Sequence, residues 1–209
     1  MITVRNLTKT FGEHTVVSDV SFTLEAHTST ALIGPNGAGK TTVLSMLTGL
    51  LAPTSGKIEM MGVKDMRKEI GFLPQYPQFF PWLTALEFTE MTAKLSGVSG
   101  KEAKKEAEKV LAFVGLEEAM RKKTATFSGG MKQRLGIAQA IVHKPKVLLL
   151  DEPVSALDPI GRREMMNLLK ELQQQTTILY STHILNDAEE MTDQLLFLRK
   201  GILVEQGSL

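Results

Sequence analysis

The sequence contains no cysteine among its 209 residues. Disulfides, thiolate zinc sites and cysteine nucleophiles are therefore excluded, and nothing indicates an oxidising compartment. The four histidines are scattered, with no pair at the spacing of metal ligands. An excess of either charge is also lacking, because 24 Lys and Arg residues oppose 23 Asp and Glu residues, for a net charge of +1. This balance provides no composition-level argument for a nucleic-acid partner.

Long apolar runs are missing as well. No stretch approaches the roughly 18 residues that a membrane-spanning helix needs, and residues 1–5 contain no signal-peptide core. Hydrophobic residues make up 43% of the chain and charged residues 22%, which is close to the globular norm. We therefore expect a soluble cytosolic protein, whose length fits one domain or one core with a sizeable insertion.

The hydrophobic pattern predicts an α/β fold. Short β-branched runs alternate with helical stretches at both ends of the chain, whereas the middle has helical spacing. The predicted strands are 2–7, 16–24, 29–33, 57–60, 70–73, 147–150, 177–180, 195–198 and 202–204. The predicted helices are 40–47, 103–114, 128–142 and a last one that opens at Asp158 and Pro159. This order indicates an α/β core that carries a helical insertion.

Residues 34–41 read Gly-Pro-Asn-Gly-Ala-Gly-Lys-Thr, the pattern of a phosphate-binding loop. Glycines let successive backbone N–H groups point at phosphates, and the helix that begins near Lys40 adds its positive end. The Lys40 side chain then reaches the β- and γ-phosphates, and Thr41 supplies a hydroxyl for Mg²⁺. The alternative is a plain glycine-rich turn, but the predicted strand before it and helix after it are the context that phosphate binding requires.

Two acids, Asp151 and Glu152, follow the apolar strand predicted at 147–150. Carboxylates at this edge of a parallel sheet lie where such folds hold a ligand. We expect Asp151 to contact Mg²⁺, directly or through water, and Glu152 to polarise an attacking water. The alternative is an acidic strand end that caps the next turn, since Pro153 follows.

Ser128, Gly129 and Gly130 stand where a helix is predicted to begin. Ser128 is a good N-cap, so the three residues have a purely structural interpretation. Their exposed N–H groups, together with the helix dipole, also form a second anion site. A phosphate loop and a separate anion-binding helix start in one chain indicate that two copies close around shared nucleotides.

In this combination the sequence resembles, over essentially its whole length, the nucleotide-binding domain of an ATP-binding-cassette (ABC) transporter. The resemblance implies an α/β P-loop NTPase fold, with a RecA-like core and an antiparallel β subdomain at about 1–74 and 145–209. A helical subdomain is implied at about 75–144. The resemblance further implies an ATP hydrolase that uses ATP and Mg²⁺ and works as a head-to-tail dimer of identical or different cassettes.

The same resemblance implies a separate integral-membrane permease as the partner. We expect the chain to be cytoplasmic, to be held on the inner face of the cell membrane through that permease, and to have no nucleic-acid partner. The form of the Ser-Gly-Gly motif and the compact middle of the chain favour an exporter of drug, peptide or ion type over an importer. The chain stops soon after the last predicted strand, as either a minimal or a trimmed member of the family would.

The resemblance also implies roles for individual residues. Those implied in ATP binding are Phe11, which stacks on adenine, and Gly34, Pro35, Asn36, Gly37, Ala38, Gly39, Lys40, Thr41 and Thr42. Those implied in catalysis are the Q-loop glutamine Gln75, the acid Glu152 and the switch histidine His183. The implied Mg²⁺ contacts are Thr41, Gln75 and Asp151. Ser128, Gly129 and Gly130 correspond to the signature motif that binds the partner's ATP, and Asp158 belongs to the D-loop.

Two positions depart from the family pattern. Phe11 replaces the usual tyrosine, which keeps the stacking ring and loses its hydroxyl. The signature motif more often begins with Leu and ends with Gln, where this sequence has Phe127 and Met131. The backbone donors remain, but a polar contact from the fifth position is lost.

Six of the twelve aromatic residues lie between Gly71 and Glu90, in a segment that also contains three prolines. Proline prevents regular helix or central strand over much of this segment. We predict that Phe79, Phe80 and Trp82 form a docking surface for the permease, because exposed aromatic residues on loops are enriched at interfaces. The alternative is that they fill the join between the two subdomains.

Two other functions are compatible with a phosphate loop. A soluble ABC ATPase that acts on nucleic acid or ribosomes usually carries two cassettes or a long coiled coil, and the sequence has neither. A P-loop kinase shares the loop but needs neither the Ser-Gly-Gly helix start nor the switch histidine. The ATP-hydrolysing subunit of a transporter therefore remains the leading hypothesis.

Overall fold

The computed structural model describes residues 2–155, 157–186, 188 and 192–208. The strands in these ranges are β1 (Ile2–Phe11), β2 (His14–Leu24), β3 (Ser29–Ile33), β4 (Ser55–Met60), β5 (Ile70–Leu73), β6 (Val147–Asp151), β7 (Thr177–Thr182), β8 (Gln194–Arg199) and β9 (Ile202–Ser208). The α-helices are α1 (Lys40–Leu47), α2 (Ala85–Leu95), α3 (Gly100–Phe113), α4 (Gly129–Ile141) and α5 (Pro159–Gln173).

Two sheets organise the described residues. The larger has the order β5-β6-β7-β3-β8-β9, and all its pairs are parallel except β8 with β9. The smaller is antiparallel and has the order β2-β1-β4. Strands β3, β6 and β7 are buried at every residue, which explains why they read as continuous apolar runs. The α/β prediction is therefore confirmed.

Side chains of the larger sheet divide between two apolar cores. In β6, Leu148 and Leu150 pack with residues of α4 and α5, on one face of the sheet. Val147 and Leu149 point to the opposite face and pack with α1 and the smaller sheet. This alternation follows from the two-residue period of a strand. Both faces of the larger sheet are thus covered by apolar cores. A site can therefore form at the ends of its buried strands.

Local sequence signals explain where the helices begin. Ser128 caps α4, with its hydroxyl oxygen accepting from Met131 N at 3.3 Å, and Asp158 caps α5, which opens on Pro159. Both predicted starts are confirmed. Helix α2 is a correction, because the prolines of 71–90 argued against regular helix there. Pro81, the last proline of that segment, comes before Thr84. The Thr84 side chain forms a capping box with Glu87, and α2 begins directly after Thr84.

His143 lies just beyond the end of α4 and is half-buried. Its Nε2 atom is 3.3 Å from the carbonyl oxygen of Ile70, at the start of β5. Burial lowers the pKa of His143 below the ordinary value of 6.5, and the contact with Ile70 and the negative charge of Glu69 oppose this shift only in part. The folded chain therefore favours the neutral imidazole.

This depressed pKa makes folding stability sensitive to acid. Below pH 6.5 the unfolded chain takes up a proton that folded His143 resists, so the free energy of unfolding falls as pH falls through that value. Replacing His143→Gln should reduce the drop in melting temperature between pH 7.5 and pH 5.5. His14→Gln, at an exposed position, is the matched control and should leave that drop unchanged. Equal drops in wild type and His143→Gln would contradict the assignment.

Candidate functional site

Three neighbouring strands bring the candidate residues to one edge of the larger sheet. Ile33, at the end of β3, pairs with Thr182, at the end of β7, and Asp151, at the end of β6, pairs with Ser181. Because parallel strands end at the same edge, the loop after β3 and the residues after β6 and β7 meet there. The predicted phosphate loop, the paired acids and His183 are thus adjacent, although they are far apart in sequence.

The loop after β3 has the backbone that its glycines predict. Gly37 and Gly39 have φ of 79° and 103°, in the left-handed region that favours glycine. A Cβ at Gly34 would lie 2.3 Å from the carbonyl oxygen of Leu198, so no side chain fits there. No side chain caps the N-terminus of α1, which leaves its N–H groups open to an anion.

The loop lines a cleft of about 330 Å³. The cleft residues are Val16, Asn36, Gly37, Ala38, Gly39, Lys40, Thr41, Thr42, Gln75 and Glu152. Most of the predicted nucleotide-site residues thus share one concave surface. Val16, near the start of β2, was not predicted. It contributes because β2 passes close to the loop: a Cβ at Gly39 would lie 3.0 Å from the carbonyl oxygen of Val16.

Lys40 is a buried cation within this cleft. Its Nζ atom donates to the carbonyl oxygens of Gly34 at 2.8 Å and Pro35 at 3.3 Å. The same atom lies 3.5 Å from Oε1 of Glu152, and both side chains are more than 90% buried. These contacts satisfy the lysine, since a buried charge without partners is strongly destabilising.

Asp151 is held through both carboxylate oxygens. Thr41 Oγ1 donates to Oδ2 at 2.8 Å, and Ser181 Oγ donates to Oδ1 at 2.5 Å. Within the described residues there is no group of three or more His, Asp or Glu residues that could hold a metal unaided. A lone carboxylate with a hydroxyl fits Mg²⁺, which binds through one or two protein oxygens together with substrate phosphates. The donor set of Thr41 and Asp151 is therefore compatible with the predicted cofactor.

Glu152 has an unusual backbone and a well-defined side chain. Its φ is 49°, in a region that residues other than glycine adopt at a cost and that is enriched at functional sites. Oε2 lies 2.8 Å from Nδ1 of His183, while Oε1 faces Lys40. The carboxylate thus stands between the lysine of the loop and the predicted switch histidine.

The predicted adenine-stacking, signature and D-loop residues do not line the cleft. Phe11 ends β1 with 49% of its surface exposed and has Lys9 Nζ 5.0 Å from its ring centroid. Ser128, Gly129 and Gly130 form the start of α4. Asp158 caps α5 by accepting from Gly161 N at 3.0 Å. Ala156, which belongs to the predicted D-loop, lies outside the described residues.

Sequence reasoning missed two buried polar side chains near the acids. Ser181 contacts Asp151, and its oxygen also accepts from Glu152 N at 2.9 Å. Gln133 of α4 donates through Nε2 to the carbonyl oxygen of Pro153 at 2.9 Å. The sequence did contain a signal for Ser181. It is a polar residue in a strand that is buried throughout, and a buried polar group requires a hydrogen-bond partner.

The aromatic segment before α2 divides into two environments. Phe79 packs against the core around α2–α4, with its ring edge-on to Phe88 at 5.1 Å and 84°. Phe80 and Trp82 stack on each other at 5.3 Å and are 44% and 64% exposed. Phe79 is thus packed against the core, whereas Phe80, which also meets Phe88 edge-on at 6.2 Å, and Trp82 keep an exposed surface.

A glycine loop that ends in a lysine, beside two acids at the edge of a parallel sheet, defines a P-loop nucleotide-binding ATPase domain. The sequence matches the model of the family described as ABC transporter over residues 17–155. The chain therefore belongs to the ATP-binding proteins of ABC transporters. None of the helices in the described residues is long and apolar enough to cross a membrane.

Curated relatives support this assignment. The chain is 49% identical to the uncharacterized ABC transporter ATP-binding protein YxlF of Bacillus subtilis (strain 168), over 100% of this chain and 71% of the relative. It is 37% identical to the linearmycin resistance ATP-binding protein LnrL of the same organism, over 100% of this chain and 69% of that protein. The Fe(3+) ions import ATP-binding protein FbpC 1 of Rhizobium meliloti (strain 1021) is 39% identical, over 99% of this chain and 60% of the relative.

Solved structures show the same fold. The ATP-binding cassette MJ0796, solved as a dimer in a post-hydrolysis state bound to ADP and Pi, aligns with a TM-score of 0.89 and 30% identity. That alignment covers 100% of this chain and 99% of the other. The predicted P-loop NTPase fold is therefore confirmed, and the match supports nucleotide binding. The individual roles of the site residues stay predictions.

The two aromatic environments predict losses of stability of different size. Phe79→Ala should lower the free energy of unfolding by about 1.5–2.5 kcal/mol, roughly half the cost of truncating a fully buried phenylalanine. Trp82→Ala, at an exposed position, should change it by no more than about 0.5 kcal/mol. Thermal melting of the two variants without nucleotide measures the difference. A large loss for Trp82→Ala would show that both rings serve the core.

Proposed function

We propose that this chain is the ATP-hydrolysing subunit of an ABC transporter and drives a separate membrane permease. One observation carries the proposal. Glu152, next to the phosphate loop, has its two carboxylate oxygens directed at Lys40 and His183. A buried acid positioned between a phosphate-binding lysine and a histidine is suited to accept a proton from an attacking water.

Binding of ATP uses the open N–H groups of the loop and of the start of α1. Lys40 exchanges its contact with Glu152 for the β- and γ-phosphates, whose negative charge compensates the buried cation more strongly than a single carboxylate at 3.5 Å. Glu152 is thereby released to act on water. Gln75 lines the same cleft and reaches the nucleotide from the loop after β5.

Hydrolysis requires mainly positioning and charge stabilisation, because phosphoryl transfer needs little covalent chemistry from the protein. Glu152 accepts the proton of the attacking water, and His183 holds the carboxylate in place and faces the γ-phosphate. Thr41 and Asp151 would hold Mg²⁺, which when bound neutralises charge on the phosphates. Phe11 stacks on the adenine ring from the end of β1.

Two copies complete each site in this proposal. The start of α4, with Ser128, Gly129 and Gly130, binds the γ-phosphate held by the partner, and Asp158 lies on the same contact surface. Gln133 of α4 is hydrogen-bonded to the carbonyl oxygen of Pro153, which directly follows Glu152. The helix that binds the partner's nucleotide is thus tied to the segment that carries this subunit's own acid. The dimeric cassette MJ0796 supports such an arrangement.

Glu152→Gln tests the proposal. The variant should bind ATP normally but hydrolyse it ~10²–10⁴-fold more slowly, because the amide cannot accept the proton. The unhydrolysed ATP should then hold a dimer that is detectable by size-exclusion chromatography with light scattering. Adding Ser128→Arg to Glu152→Gln should abolish the dimer and keep nucleotide binding, whereas adding Lys40→Ala should abolish both. A Glu152→Gln protein that hydrolyses ATP at the wild-type rate would refute the proposed role.

The direction of transport is proposed to be export of a drug, peptide or ion. The form of the signature motif favours it, and LnrL, a relative over the whole chain, is named for linearmycin resistance. Overall identity does not discriminate direction, because FbpC 1, named for Fe(3+) import, is 39% identical, against 37% for LnrL. The proposal therefore depends on the signature motif and not on similarity alone.

Docking of the permease is proposed at the exposed rings of Phe80 and Trp82. Tyr76, in the same segment, is 72% exposed and directly follows Gln75 of the cleft. A permease helix that covers these rings would therefore press on a segment that also reaches the nucleotide. Stacked aromatic side chains supply large apolar area at low entropy cost, as interface anchors do.

Phe80→Ala combined with Trp82→Ala should separate docking from chemistry. Loss of two anchors, each contributing about 2 kcal/mol or more at an interface, should greatly reduce co-purification with the permease from membranes. The ATPase rate of the isolated subunit should stay within twofold of wild type. Ile202→Ala, which removes an exposed apolar side chain on β9, is the control and should co-purify normally. Undiminished co-purification of the double variant would place docking elsewhere.

A further inference from the structure

Ser181 is a completely buried residue at the penultimate position of β7. Its hydroxyl donates to Asp151 Oδ1 at 2.5 Å, and its oxygen accepts from the backbone N–H of Glu152 at 2.9 Å. The strand register places it directly opposite Asp151. One hydroxyl group therefore contacts both consecutive acids of the candidate site.

The first contact fixes the plane of the Asp151 carboxylate. Thr41 Oγ1 donates to one oxygen and Ser181 Oγ to the other, so rotation of the carboxylate would break one of the two bonds. Thr41 is itself anchored at the start of α1. Without Ser181, the hydrogen bonds seen among the described residues would hold one oxygen only, and the carboxylate could turn about its χ2 torsion.

The second contact fixes the backbone of Glu152. With φ at 49° this residue occupies a conformation that surrounding structure must impose. Its N–H group is buried, and Ser181 Oγ is the acceptor that satisfies it. Loss of that acceptor leaves a buried donor without a partner, which the backbone relieves by shifting. Such a shift moves the carboxylate relative to Lys40 and His183.

We propose that Ser181 is a positioning residue of the nucleotide site, whose single hydroxyl orients the Asp151 carboxylate and the Glu152 backbone together. The inference rests on the proposed function, because it assigns Ser181 a part in preparing those acids for Mg²⁺ and for water. Residues that orient metal ligands typically contribute ~10–100-fold to metal affinity or activity. Ser181 acts through the two acids and is not itself a catalytic residue.

The chain supplies a matched control for a purely structural role. Thr176, just before β7, is buried, and its Oγ1 donates to the carbonyl oxygen of Pro145, just before β6, at 2.9 Å. This bond links the same two strands as Ser181 does, at the end opposite the cleft. Thr176→Val therefore removes a buried inter-strand hydrogen bond without touching either acid.

The experiment compares Ser181→Ala with Thr176→Val and wild type. We measure melting temperature, the affinity for ATP with Mg²⁺ and with EDTA, and kcat and KM for hydrolysis. Both variants should melt below wild type and bind Mg²⁺-free ATP within about twofold of it. Ser181→Ala alone should lose most of the gain in ATP affinity that Mg²⁺ provides, and its kcat should fall ~10–100-fold with little change in KM.

A second pair of variants protects the test against failure to fold. Ser181→Thr and Ser181→Val add the same volume at a buried position, and only threonine keeps the hydroxyl. Ser181→Thr should therefore recover the Mg²⁺ response and kcat relative to Ser181→Val. If Ser181→Ala matches Thr176→Val, or if the threonine and valine variants are equal, Ser181 only ties the strands together. A wild-type protein without ATPase activity would refute the proposed function instead, and the Mg²⁺ response of binding would still report on Ser181.

Discussion

The arrangement of the whole nucleotide site depends on the need to compensate the buried charge of Lys40. Its compensation comes from the carbonyl oxygens of the loop and from Glu152, and Glu152 in turn is paired with His183. Such an arrangement persists only where the backbone holds every partner in place, since a buried charge that loses its partner is very costly. The rigid frame is the group of parallel strands β6, β7 and β3, whose ends hold the two acids, the histidine and the loop.

The hydrogen bonds around the two acids show how the strand pairing of the sheet determines the positions of their side chains. Pairing of Asp151 with Ser181 is a matter of strand register, and a slip of one residue would turn Ser181 to the opposite face. The pairing of β6 with β7 runs without a shift from Val147 opposite Thr177 to Asp151 opposite Ser181. The positions of the two acids are thus fixed by the buried strands, and the loops supply the remaining residues of the site.

Much of this arrangement was accessible from the sequence, because its signals are local. The glycine loop, the apolar runs that became β3 and β6, and the helix starts at Ser128 and Asp158 depend on near neighbours. Helix α2 was missed because three prolines precede it, although the capping box of Thr84 and Glu87 that starts it is also a local signal. The different exposure of Phe79 and of the pair Phe80 and Trp82 also escaped prediction, since it depends on how the segment packs against α2, where Phe88 meets both Phe79 and Phe80. Similarly, the partners of Ser181 follow from strand pairing, which no local pattern encodes.

Strand β3, which leads into the phosphate loop, lies between β7 and β8, and its partners come about 150 residues later in the chain. At a synthesis rate of roughly 5–20 residues per second, this apolar strand waits on the order of ten seconds on the ribosome before either neighbour exists. The nucleotide cleft is therefore among the last parts of the molecule to form. Strand pairing over so many residues slows folding, and until it is complete the apolar strand is exposed to aggregation.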